Sequence, residues 1–103
     1  MSRTVEELPL FQDERERAFL EFHEKNPQVY ALLVRLAYEW KDGGGEKLGM
    51  KALFERARWE FRIGTTTTQP VLNNNFTPFY ARLIMQREPA LDGLFNLRER
   101  RVA

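Results

Sequence analysis

The chain has no cysteine and a single histidine, His23. That absence removes disulfides, thiol nucleophiles and thiolate metal sites together, and leaves transition metals without their usual ligands. No apolar run approaches the roughly 20 residues that span a bilayer, and the start MSRTVEELPLF lacks the apolar core of a secretory signal. A cytoplasmic protein without a membrane partner is the expectation. The glycine triplet Gly43–Gly45 has neither the GxGxxG nor the GxxxxGK[ST] surroundings that cradle phosphate. The carboxylates are dispersed among Arg and Lys at helix-pair spacing, and His23 lies between Glu21 and Glu24 in an acidic stretch, which places it on a surface. No nucleophile, base and metal cluster emerges, so a nonenzymatic protein without a cofactor is expected.

What the chain does have is bulk and charge. Its 103 residues include eight Phe, three Tyr and two Trp, and 30% of them are charged. This suffices for one domain with one modest core. The net charge of +1 conceals an asymmetry: residues 1–26 carry seven acids against four bases, and the remainder 12 bases against eight acids. An anionic partner for the later part of the chain fits that balance, though many nucleic-acid modules are far more basic.

Periodicity predicts helices. Residues 1–11 form a loose arm, interrupted by Pro9, in which Leu8, Leu10 and Phe11 are available to dock. A first helix follows from about Gln12 to Lys25 with Ala18, Phe19 and Phe22 inward. Asn26-Pro27 combines a favoured N-cap with a proline at the first helical position, opening a second helix that ends at Lys41-Asp42 before the glycines. Its apolar face holds Val29, Tyr30, Leu33, Leu36, Ala37 and Trp40. A third helix runs from near Leu48 to about Phe61, with Met50, Leu53, Phe54, Ala57 and Phe61 inward and Lys51, Glu55, Arg58, Trp59 and Arg62 outward.

Phe61-Arg62-Ile63 and Val71-Leu72 are β-prone runs flanking GTTTTQP, which predicts a hairpin. Thr77-Pro78 opens a fourth helix to about Arg87 with Tyr80, Leu83 and Ile84 inward, and Leu94 to Leu97 suggests a short strand beside the hairpin. Residues 99–103 read as a frayed tail. The expected architecture over 12–98 is therefore mainly α (α+β), a winged helix-turn-helix-like domain of about four helices with a β-hairpin wing.

In that arrangement the third helix is the recognition helix. Lys47 to Arg62 holds five bases and two acids. Lys47, Lys51, Arg58 and Arg62 are candidate contacts to double-stranded DNA, and Thr65, Thr66, Thr67 and Thr68 at the wing tip are candidate backbone contacts. An ordinary solvated amphipathic helix produces the same pattern, and the connector exceeds the usual three- to four-residue turn. The Asn73-Asn74-Asn75 triplet suits capping and turn formation better than adenine readout.

Glu55 at the centre of the basic face and Trp59 on its polar side favour a different class, a protein–protein module. A monomer or a homodimer fits either class.

The segments FLEFHEKNPQVYALLVRLAYE, ALFERARWEF, LNNNFTPFYARLIMQREP and GLFNLR, from Phe19 to Arg98, resemble a family of small proteins encoded by bacteriophages and prophages. Arg58-Trp59-Glu60 and the NNNFTPFYAR block are its most specific pieces. Gly49 departs from the small polar cap usual in that family. The resemblance implies a phage setting in a bacterial cytoplasm, and brings no activity or binding residues with it. Element order and the charge of the third helix point to a winged-helix-like DNA-binding protein of regulatory type. Glu55, Trp59 and the near-neutral total charge point to the alternative, a protein that inhibits or redirects host machinery such as polymerase or a defence complex.

Overall fold

Asn26 separates the first two helices by closing the one before it. In the computed structural model, which describes residues 14–64 and 70–95, α1 spans Glu14–Lys25 and α2 spans Pro27–Asp42. The Asn26 backbone N–H and its Nδ2 both donate to the carbonyl of Phe22, at 2.9 and 3.0 Å. Its side chain therefore satisfies the end of α1 and does not cap α2. Pro27 can open α2 because the first helical position needs no N–H donor.

The glycines end α2 as expected. Gly43, Gly44 and Gly45 donate back to Glu39, Lys41 and Trp40 carbonyls, and Gly44 adopts φ 95°, a conformation glycine reaches without Cβ strain. A Cβ on Gly45 would stand 2.3 Å from the Trp40 indole, so that ring lies directly against the glycine backbone. Trp40 is accordingly half-exposed over the connector and does not belong to the core face of α2.

α3 spans Met50–Gly64 and α4 spans Thr77–Arg87, with 3₁₀ turns at Asn74–Phe76 and Pro89–Leu91. The winged architecture is not what forms. Phe61-Arg62-Ile63, expected as a strand, is the last part of α3. Phe61 lies four residues after Ala57 and extends the apolar stripe of Leu53, Phe54 and Ala57, so burial at helical period overrides the β preference of the run. Val71 and Leu72 are in no strand. Phe95 forms an isolated parallel bridge with Leu48, where the Leu48 N–H donates to the Leu94 carbonyl at 3.0 Å, tying the α2–α3 connector to the C-terminal turn. Among the described residues there is no β-strand and hence no hairpin wing. The expected arm, wing tip and tail fall on residues outside those described.

The helices pack α2 against α3 and α3 against α4, with α4 also touching α2, while α1 lies on α2 and the turn before α4. Val29, Leu33, Phe54, Tyr80, Ile84 and Leu91 are fully enclosed. Each of the apolar ones contributes about 1.5–3 kcal/mol of transfer free energy, whereas Tyr80 buries its hydroxyl without a partner. Phe19 joins α1 to this core through Phe76, Phe79 and Tyr80, whose ring centroids lie 5.8, 5.3 and 4.8 Å away. Ala18, by contrast, faces solvent. No described helix is long and apolar enough to cross a membrane.

His23 belongs to this aromatic contact and not to the surface. Its ring stacks on Phe19 at 5.8 Å and meets Tyr30 and Tyr80 edgewise at 5.4 and 6.0 Å. Nδ1 is enclosed without a hydrogen-bond partner. Burial, and then the positive charge of Arg87, hold its pKa below the ordinary value of 6.5. Protonation therefore favours the unfolded chain. The stability linked to this residue is complete above pH 6.5 and declines as pH falls from there towards the lowered folded value. Urea unfolding of the wild type and a His23→Phe variant between pH 7 and pH 5 should diverge, with the wild type losing more stability; parallel pH profiles would contradict this placement.

Candidate interaction face on the third helix

The outer side of α3 divides according to what each neighbour supplies. On one flank Arg58 turns in towards the segment that returns to α4. Its guanidinium donates from Nη1 to Glu55 at 2.7 Å, and from Nη2 to the Leu72 carbonyl at 2.7 Å and Asn74 Oδ1 at 2.8 Å. It also lies 5.8 Å from the centre of the Phe54 ring. The planar fork of arginine reaches several acceptors at once, which suits this position. Only 33% of the side chain is accessible.

The asparagine triplet completes the arrangement. Asn73 Oδ1 accepts from the Asn75 N–H at 2.9 Å, capping the 3₁₀ turn, and the Thr77 hydroxyl donates to the Asn74 carbonyl. Both contacts serve turn and cap formation. Phe76 is buried, and Phe79 stacks on Phe19 within the core.

On the opposite flank, the Arg35–Glu60 ion pair joins α3 to α2, with further pairs inside each helix. Arg56 meets Glu60 at 3.0 Å, and Arg35 reaches Glu60 at 3.6 Å and Glu39 at 2.7 Å. Lys47, in the connector, donates to the Gly93 carbonyl at 2.7 Å, and Lys41 likewise donates to Ala90. These two lysines border a small cavity between the connector and residues 90–94. Exposed pairs such as these contribute little stability, but they leave fewer free cations for a ligand.

Of the candidate DNA contacts, Lys51 and Arg62 remain exposed with no hydrogen bond or ion pair among the described residues. Lys47 and Arg58 make intramolecular contacts, and Thr65–Thr68 lie outside the described residues. The positive charge of α3 is thus interrupted at Glu55 and drawn inward at Arg58.

Between the flanks is an apolar stripe. Trp59 is 61% exposed and Ile63, four residues on, is 65% exposed; Val71 is 85% exposed beyond the end of the helix. Along α3 in the other direction, Ala52 and Arg56 lead from this stripe into a groove of about 340 Å³ between α2 and α3, which Leu36, Trp40 and Leu48 also line. Trp59 was legible as an outward residue. Ile63, Val71 and Trp40 were not, because two had been placed in strands and one in the core. Helical period continued through Ile63 would have revealed its alignment with Trp59.

Among the described residues no three His, Asp or Glu side chains gather as a metal site. Comparison with protein-family models, curated proteins and solved structures gives no match for this chain. The geometry itself defines a small helical domain whose third helix presents an apolar stripe between inward-turned charges.

Replacing Arg58 by Lys, which cannot reach Glu55, Leu72 and Asn74 together, should cost about 1–2 kcal/mol in chemical unfolding and speed amide exchange in residues 72–76. Arg62→Lys, at an exposed position, should change stability by less than about 0.5 kcal/mol. Equal effects at the two positions would contradict the inward role of Arg58.

Proposed function

We propose that this chain is a protein-interaction module and that the outer face of α3 is its anchoring surface. The observation that carries this reading is the exposure of Trp59 and Ile63 one helical turn apart, on the helix whose central arginine is turned inward. A large aromatic side chain beside an aliphatic one, rimmed by charge, is the composition that concentrates binding energy at protein interfaces. Trp59 supplies area with few rotatable bonds to immobilise. Lys51, Glu55 and Arg62 supply the polar rim that selects among partners.

The same face is poorly suited to DNA. A duplex contact would draw on a continuous set of free cations, whereas Lys51 and Arg62 are separated by the Glu55–Arg58 pair. In the phage setting implied by the sequence resemblance, the natural partner is a host protein.

Two measurements on the full chain test this reading together. Quantitative capture from bacterial lysate should recover a partner that Trp59→Ala reduces by about tenfold or more, as expected for an interface anchor. Fluorescence anisotropy with duplex DNA should show no binding that strengthens steeply as salt is lowered. An unchanged partner set after Trp59→Ala, or DNA binding with a steep salt slope, would overturn it.

A further inference from the structure

We infer that, in the free protein, the exposed stripe of α3 is covered by a second copy of the same chain, through antiparallel pairing of the two α3 helices about a two-fold axis at Trp59. This rests on the reading of α3 as an interaction face and specifies what occupies it before another partner does.

The helix surface is self-complementary. In an isologous contact each residue meets the one that the two-fold brings opposite it. When two helices pair antiparallel with Trp59 at the axis, positions before residue 59 on one copy face positions after it on the other. The distribution of side chains fits that operation. Glu55 and Arg62 lie on the same flank of α3, on opposite sides of Trp59 along the axis, and at nearly equal rise from it given 1.5 Å per residue. The two-fold keeps each flank facing its own kind, so Glu55 of each copy comes opposite Arg62 of the other. On the second flank, the methylenes of Arg56 come opposite Ile63.

The centre then holds the two Trp59 rings, with Ile63 at either side, and the exposed apolar surface is enclosed within a rim of opposite charges. A parallel pairing would instead bring Glu55 opposite Arg56, which is already paired with Glu60, and would set the unpaired Arg62 against the apolar Ile63, leaving its charge without a partner. Arg62 has no competing partner among the described residues, which leaves it available for the exchange. The net charge of +1 adds no appreciable long-range repulsion between copies.

Pairing of this kind also gives the proposed interaction face a regulated availability. A partner that needs Trp59 must compete with the second copy, so capture of that partner falls as the concentration of this protein rises.

The absence of cysteine makes the geometry directly testable, since any disulfide must come from introduced residues. Sedimentation velocity of the 103-residue chain between about 10 μM and 1 mM should show a reversible monomer–dimer equilibrium, weakened about tenfold or more by Trp59→Ala. Under mild oxidation the double variant Glu55→Cys/Arg62→Cys should form a covalent dimer. Each single variant should stay largely uncrosslinked, because like positions are separated across the two-fold.

A wild-type chain that stays monomeric over that range overturns the inference, and leaves the partner reading intact if Trp59→Ala still abolishes capture. A dimer that survives Trp59→Ala, or single cysteine variants that crosslink as readily as the double one, overturns the antiparallel α3 interface itself. All four variants alter exposed positions, and circular dichroism matched to the wild type establishes that each is folded.

Discussion

The guanidinium of Arg58 is the contact on which the rest of the structure depends. The return from α3 to α4 has no strand to guide it among the described residues, and its position is fixed where Arg58 reaches the Leu72 carbonyl and Asn74. That contact sets the 3₁₀ turn at Asn74–Phe76, which leads directly into α4. α4 in turn brings Phe79 and Tyr80 to Phe19, and it is through these rings that α1 joins the core. A charged hydrogen-bonding group thus acts beside the buried Leu72 and Phe76 in directing the return segment, with direction from the donor geometry and bulk stabilisation from the apolar burial.

The same contact shapes the surface. Turning Arg58 inward removes the cation that would otherwise link Lys51 to Arg62, and engages Glu55 at the same time. What remains outward on α3 is Trp59 and Ile63, with isolated charges at the rim. The functional character of the helix follows from a structural demand on one of its residues. A helix that carries +3 over Lys47 to Arg62 in sequence presents a mixed face in space, with Trp59 and Ile63 set among charged residues.

The extent to which the sequence discloses this varies by element. The starts of α2 at Pro27 and of α4 at Thr77 were legible from proline at the first turn, and the end of α2 from its glycines, because these are local backbone constraints. The last turn of α3 was not, since Phe61 and Ile63 favour strands intrinsically, and it is the packing of Phe61 beside Ala57 that continues the helix while Ile63 stays exposed. Arg58 was read as outward from the helical wheel alone, which cannot register an acceptor arriving from 14 residues along the chain. His23 was assigned to the surface from its acidic neighbours, although it is one residue after Phe22 and four after Phe19, the spacing at which α1 buries its rings. Of the candidate site, Trp59 and Glu55 could be found by reading outward positions on α3. Ile63 and Val71 required knowing that no wing forms around them.

Arg58 belongs to the interior architecture, while Arg62, four residues away on the same helix, faces solvent. Proton exchange at the guanidinium Nη groups, measured by nitrogen-15 NMR, tests this contrast without perturbing the chain. Arg58 should give a resolved, slowly exchanging signal with hindered rotation, beside a fast-exchanging averaged signal from Arg62. Indistinguishable exchange at the two arginines would contradict the contrast.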